Sequence, residues 1–472
     1  MDPTETINPS ELVPTMGFTK EEERAVVRKQ DLTILPLSAF VYFLCYLDRS
    51  NIGNARILNS STHNDMQTEI GATPYQFNIA LMVFLVGYAL FEVPSNYLLK
   101  KLRPSRWLAF LMLAWGSVTM GLGGVRSFGG AVAARFLLGA FEAGLFPGLV
   151  YHLTFWYRTE ERSFRVALIL ASATLGGAFG GAIAYGIGRS MNRLHGLSAW
   201  RWLFIVEGAP SCASALLVWF LLPDYPEEFL VGRQREIAVE RLRVEGSKSS
   251  HGNLTWPAAK ATLADWRLYV HYLVYFGIAV PFSSLSLFAP AIVAGLQFVD
   301  LKAQLMTVPP YAVAYVVQIT ASYSADYLNE RGLHSAVFAT IGAVGFMTSA
   351  LLPPDAYQHR YGCLIVAATG TFSCIAPLMG WLTSNVHSTA AVGLAIALTV
   401  SFGAGLGQIP GVWIYKTEEQ EMGFPTGHWV NAGMLFLVAI GAVGLRVFYG
   451  IKNRQLAREA AEQGREVRLF KL

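Results

Sequence analysis

Apolar residues in this chain gather into long blocks separated by short polar stretches, as in Phe77 to Phe91, Ala167 to Ile187 and Leu394 to Ile409. A bilayer core about 30 Å thick takes about 20 residues of helix to cross, so blocks of this length predict membrane spans. They are poor in Lys and Glu and rich in Gly and Ala, the small residues that let membrane helices pack closely. A span-length window places about twelve helices. They lie near Leu32 to Ile52, Gln76 to Leu99, Trp107 to Val125, Val132 to Trp156, Val166 to Gly188, Trp202 to Leu222, Leu268 to Val293, Gln304 to Tyr323, Ser335 to Leu352, Tyr361 to Leu382, Ala391 to Ile414 and Trp429 to Tyr449. The one long polar connection, Asp224 to Asp265, falls between the sixth and seventh spans. The expected protein is therefore an all-α membrane protein of two six-helix halves, residues 31–222 and 267–450, with a linker 223–266 and tails 1–30 and 451–472.

Composition supports a lipid environment: of 472 residues 53% are hydrophobic and only 14% charged, with a mean hydropathy of +0.39. The net charge of +4 is small and scattered, which argues against a nucleic-acid partner. Cys45, Cys212, Cys363 and Cys374 all fall in apolar blocks without metal-type spacing, so neither a zinc site nor a disulfide framework is expected. The polar, charged first thirty residues lack the form of a cleavable signal, and the first span is expected to direct insertion.

Basic residues in short loops stay cytoplasmic. Arg28 and Lys29 precede the first span, Lys100, Lys101, Arg103 and Arg106 follow the second, Arg158, Arg162 and Arg165 follow the fourth, and Lys452, Arg454 and Arg458 follow the last. Both termini and the linker then come out cytoplasmic, as an even number of spans requires, and the Asn59-Ser60-Ser61 sequon comes out on the other side. The connections Pro94 to Lys101 and Ser324 to Gly332 occupy matching places in the two halves, the trace of a duplicated unit.

Burying an ionisable side chain in a span costs at least about 2.5 kcal/mol, so those that persist are functional candidates. Arg135 and Glu142 stand seven positions apart in the fourth span, close to two helical turns, which puts them on one face. Asp48 and Arg49 are neighbours in the first span, rotated by about 100°, so one faces a cavity while the other faces a partner helix. A packing ion pair accounts for the first set and an interfacial pair for the second; both alternatives stay open on the residues alone. An arginine offers a planar fork of donors to a carboxylate and stays charged, whereas a buried carboxyl can load and release a proton near neutral pH. Glu142 is the leading proton carrier on this reading and Asp48 the second. With the acids ionised, Arg49 and Arg135 are expected to be partly paired, and protonation frees them for an anion. Glu92 and Glu207 are read as lying toward the cytoplasmic side, as gate or interface residues. His271 and Gln408 are weaker candidates, Tyr311, Tyr88 and Trp381 could line a cavity or simply pack, and Gly176-Gly177 with Gly180-Gly181 reads as a packing feature.

Four stretches, Leu47 to Ala55, Phe91 to Asn96, Arg135 to Gly144 and Trp200 to Gly208, together with Leu222 to Glu227 and Val308 to Tyr311, resemble the major facilitator superfamily. More narrowly they are similar to its anion:cation symporter family, in the fungal allantoate permease branch. The resemblance implies a proton-coupled symporter of a small organic anion working by alternating access, without a cofactor, as a monomer in the plasma membrane. It implies that Arg49 contacts the substrate and that Glu142 and Asp48 carry protons; Arg135 and Tyr311 join Arg49 as substrate-binding candidates from their places in the spans. The superfamily's acid after the second span is replaced by Lys100, whereas Asp326 keeps it in the second half, so these two are the gating candidates. Relatives often carry a basic pair where this chain reads Asn385 to Ala390. A drug or neutral-solute carrier of the same fold is the alternative; a membrane-embedded enzyme is disfavoured because no metal-spaced acids or His/Cys cluster occurs in a span.

Overall fold

The computed structural model describes residues 18–244, 256–298, 301–385, 394–396, 398–463 and 469–472. Among them, ten helices are long and apolar enough to cross a membrane: α1 Lys20–Ile57, α2 Pro74–Leu99, α4 Phe128–Leu153, α5 Phe164–Ser190, α6 Ala199–Leu221, α7 Trp266–Ala294, α9 Arg331–Leu351, α10 Tyr357–Ser384, α11 Leu394–Trp413 and α12 Pro425–Glu462. Two further helices, α3 Pro104–Leu122 and α8 Val308–Tyr327, pack in the same bundle and bring the set to the twelve expected.

Local chemistry sets the helix starts. Thr19 caps α1 and Thr73 caps α2, each in a reciprocal exchange with the residue three positions on, Glu22 and Gln76. Proline opens α2 and α3, where its missing N–H leaves no bond unmade. Several helices outrun their apolar blocks: α1 begins at Lys20 rather than near Leu32, because a charged first turn continues the helix beyond what a hydropathy window registers. The fourth span is broken where one continuous helix was expected. Its first segment ends at Glu142 and its second runs from Leu145 to Leu153.

The packing repeats. Helix α1 contacts α5 and α6, α2 contacts α4, and α3 contacts α4 and α6. In the second half α7 contacts α11 and α12, α8 contacts α10, and α9 contacts α10 and α12. Adding six to each number of the first set gives the second, which is the pseudo-two-fold relation of a duplicated six-helix unit. The halves meet through α5 with α8, its symmetry mate α2 with α11, and α1 with α7.

The first of these seams is made possible by glycine. A Cβ on Gly177 would sit 2.7 Å from the Tyr311 ring, and one on Gly181 would collide with Thr307, so the small-residue pattern in α5 is a close-approach surface toward α8. The seam is also bonded, Thr174 Oγ1 donating to Gln318 Oε1 at 2.7 Å. At its far end Phe164 meets Tyr323 edge-on at 6.2 Å.

The Asp224 to Asp265 connection carries more structure than its polarity suggests. Its helix Gly232–Val244 lies on the extension of α1, where Val26, Leu230, Ile237 and Ala238 form a small separate core with Phe18 against it. The fully buried Arg241 pairs there with Glu23 at 3.0 Å and with Glu161. Arg158 adds a bond to Glu23 at 2.9 Å, and Arg165 grips Asp31 at 2.7 and 2.8 Å.

Candidate functional site

Between the halves lies a cavity of about 40 Å³, lined by Arg49, Tyr42, Tyr88 and Phe146 on one side and by Tyr275, Phe282, Val400 and Gln408 on the other. At about 10 to 15 Å³ per water, it holds about three waters and no organic anion. It is closed in both directions along the α2–α11 seam. Tyr75 meets Trp413 at 5.2 Å at one end, and Ser401 donates to Glu92 at 3.1 Å toward the other. Helix α11 passes the cavity as a π-helical stretch, Val400–Leu406, a distortion that concentrates at functional sites.

Arg49 carries the cavity's charge. Its Nε and Nη2 donate to Glu142 Oε1 at 2.6 and 2.5 Å, with the side chains 8% and 0% exposed. Its guanidinium lies 4.9 Å from the Tyr88 ring centre and 5.4 Å from that of Phe84. Cys45 Sγ adds a weak donor to the same Glu142 oxygen at 3.2 Å, while Glu142 Oε2 is buried with no hydrogen-bond partner. Glu142 stands at the break in α4, at the end of that helix's first segment.

Arg135 departs from the expected pairing. Seven residues along a helix is a rise of about 10 Å, and Glu142 Oε1 is taken by Arg49 of α1, with no bond from Arg135. It packs instead over Phe84 at 4.4 Å, fully buried, and its Nε and Nη1 have no acceptor. The two arginines therefore flank one phenyl ring, and only Arg49 bonds the acid.

Asp48 turns away from Arg49, as their helical rotation requires. Its Oδ2 accepts from Trp115 Nε1 of α3 at 3.1 Å and from Ser211 Oγ of α6 at 2.6 Å. Beside it Asn51 donates to Glu207. This moves Glu207 from its expected place: it lies eight residues into α6 from Ala199 and opposite the far half of α1, at the end away from the linker helix. The span runs in the opposite direction to α1, so its early residues meet that helix's late ones.

Tyr311 is buried in the α5–α8 seam rather than on the cavity wall, and its hydroxyl donates to the Leu285 carbonyl at 3.0 Å. Asp326 binds Arg331 at 2.8 Å, and Arg331 reaches on to Ser384 and to the Gly380 carbonyl of α10, an arrangement inside the second half. Lys100 lies just past the apolar span of α2, where the helix continues to Lys101; its side chain and Val386 to Ala390 are outside the described residues. Glu92, read from the sequence as a gate or interface residue, is fully buried at the contact between halves, with Oε1 unpartnered. Only the tertiary seam gives it this position, since along α2 it sits among apolar neighbours on a helix with no clear polar face.

The family model described as the Major Facilitator Superfamily matches residues 38–412. The MFS transporter prlL of Fungal sp. (strain NRRL 50135) is 65% identical over 457 residues, covering 96% of this chain and 92% of that protein. The MFS-type transporter cnsO of Penicillium expansum is 34% identical over 436 residues, covering 90% and 82%. Among solved structures, the xylose transporter XylE from E. coli matches with a TM-score of 0.62 at 16% identity, covering 87% of this chain and 96% of that one. A bacterial homolog of the human lysosomal transporter Spinster matches at 0.60 and 16%, covering 90% and 96%. At these identities the structural likeness establishes the fold alone.

Proposed function

Because this chain belongs to the Major Facilitator Superfamily and is a membrane transporter, we propose that it is a secondary active symporter that carries a small organic anion together with a proton. The observation that carries this reading is the Arg49–Glu142 pair at the closed centre of the molecule. A guanidinium bonded to an ionised carboxylate has its fork occupied. Protonation of Glu142, whose second oxygen is already without a donor, loosens that grip and turns the fork toward an incoming carboxylate. Proton and anion load together for this reason. Arg135, with two unused donors behind Phe84, is the second anion ligand, and Asp48 the second proton carrier.

The aromatic wall of Tyr42, Tyr88, Phe146, Tyr275 and Phe282 suits a substrate with a flat or apolar body behind its carboxylate. Such a body needs far more than 40 Å³, so the α5–α8 and α2–α11 seams part in turn to admit and release it. Tyr311 becomes a substrate contact when its seam opens, and Asp326 and Lys100 act at the turns that follow α8 and α2. With this reading go the sequence resemblance to the anion:cation symporter family and its allantoate permease-like branch, and the cytoplasmic termini that the basic loops imply for a plasma-membrane protein. The test is uptake into liposomes holding the purified protein, using a library of labelled carboxylates and a neutral sugar with and without an inward proton gradient. Gradient-driven uptake of one or more carboxylates is expected, and uptake of the sugar alone refutes the reading.

A further inference from the structure

The polar cluster that Asp48 faces is not part of the cavity and has too few donors. Asp48 and Asn51 sit one turn apart on the same face of α1, opposite Glu207 and Ser211, themselves one turn apart on α6. The donors present are Trp115 Nε1, Ser211 Oγ and the Asn51 amide, which serve Asp48 Oδ2 and Glu207 Oε2. Asp48 Oδ1, Asn51 Oδ1 and Glu207 Oε1 remain buried with no partner. Among the described residues no arginine or lysine bonds either carboxyl. Of the charged and titratable groups around them, Glu142 of α4, Cys45 of α1 and Cys212 of α6 bring no positive charge, and Arg49, next to Asp48 on α1, gives its guanidinium to Glu142.

Two carboxylates held this way, without a cation and with three acceptors lacking donors, make a costly arrangement unless protons supply what is missing. From this geometry we infer that Glu207, together with Asp48, forms a second proton-binding site between α1, α3 and α6, separate from the Arg49–Glu142 pair. A proton on either carboxyl adds an O–H donor for one of the orphaned oxygens and removes one of two neighbouring negative charges. The site bears on the transport reading through α1: Asp48 and Arg49 are consecutive, so the face that binds the proton and the face that offers the guanidinium move as one rigid helix. Glu207 is a positioning residue for Arg49 on this account, and in that respect the inference rests on the proposed proton coupling.

The test needs no substrate. Infrared difference spectra of the full chain in liposomes, between acidic and alkaline buffer in potassium salts, read the carbonyl stretch of protonated carboxyls. The wild type is expected to show a titrating band that Glu207→Gln removes and Glu142→Gln leaves in place. An unchanged set of bands in Glu207→Gln overturns the inference, whereas loss of a band in Glu207→Gln with none lost in Glu142→Gln counts against the proposed role of Glu142 and leaves the inference standing. Trp115 provides a reading that does not depend on the Glu207 variant folding. Its N–H donates to Asp48, so the emission difference between wild type and Trp115→Phe should change with pH, and a flat difference overturns the inference. Replacing potassium by sodium should leave the bands intact; their loss in sodium means that the oxygens hold a metal cation instead, which also overturns it.

Discussion

Replacing Glu142 by Gln separates binding from coupling more cleanly than any other single change in this site. Glu142 Oε1 alone receives both Arg49 bonds, at 2.5 and 2.6 Å, and a glutamine carbonyl can occupy that position with the same shape. The change removes only the charge and the ability to exchange a proton. In the wild type a monovalent anion entering with one proton carries no net charge, and a gradient of one pH unit, about 1.4 kcal/mol, supports about tenfold accumulation. A carrier that moves the anion without the proton works against the membrane potential, about 2.3 kcal/mol per 100 mV, which excludes the anion about 50-fold. The steady-state ratio at one pH unit and 100 mV should therefore fall by up to about 500-fold. Exchange of labelled for unlabelled substrate, which needs no proton release, should persist. The assay is counterflow beside gradient-driven uptake in the same liposomes. Uphill accumulation by Glu142→Gln with a normal pH profile would refute the coupling role and leave Glu142 as a packing residue.

Four further outcomes follow from named contacts. Arg135→Lys keeps the charge but loses the planar fork, so anion affinity should fall about tenfold or more while melting temperature holds; equal affinity in the purified variant removes Arg135 from the site. Gly177→Val places a side chain where the Tyr311 ring stands, so the α5–α8 seam cannot pack as closely, and the melting temperature of the purified variant should fall; an unchanged melting temperature removes Gly177 from the seam. Arg241→Ala strips the partly exposed Glu23 and Glu161 of a shared, fully buried partner and should cost about 2 to 3 kcal/mol, seen as a lower melting temperature with transport specificity unchanged. A cysteine at Ser249, in the linker and outside the described residues, should resist an impermeant maleimide added outside intact cells; labelling there inverts the topology.

The twelve spans were legible because each apolar block is long and its polar borders are short, and the duplicated connections pointed to the two-fold repeat before any packing was known. The direction of Asp48 relative to Arg49 was legible too, since helical rotation alone separates neighbours. What the chain did not announce was partner choice. Whether Glu142 bonds Arg135 on its own helix or Arg49 on another depends on the distance between α1 and α4 and on the break after Glu142, neither of which has a period in the sequence. The partner of Glu92, itself readable as a gate or interface residue, is hidden for a related reason: Ser401 lies more than three hundred positions away, across a seam between halves. The linker helix is hard to see in the sequence because Ile237, Ala238 and Leu242 are its few inward apolar residues and the fully buried Arg241 shares their side, which gives the stretch the composition of a polar loop.

On the proposed function, the charges at the centre give a reason why proton and anion load together. Arg49, Arg135 and Glu142 together hold a net charge of plus one with the acid ionised, concentrated around the Phe84 ring where both guanidiniums lie. Protonating Glu142 alone raises the surplus to plus two, which a buried, water-poor site resists. Binding an anion alone lowers it to zero but leaves the substrate competing with Glu142 for the Arg49 fork. Loading both restores the original plus one and gives each arginine an acceptor, including the Arg135 donors that have none in the closed state. The doubly loaded state and the empty state are thus electrostatically equivalent, while each singly loaded state is penalised in a different way. A carrier whose closed form tolerates only those two occupancies couples the fluxes without any further gate on the proton. Arg135→Gln tests the argument: with one positive charge removed, the empty site is neutral, and a proton on Glu142 raises the surplus only to plus one instead of plus two, a smaller penalty. Anion-independent proton leak should then rise in liposomes under a pH gradient, and a leak equal to that of the wild type would contradict the charge balance described.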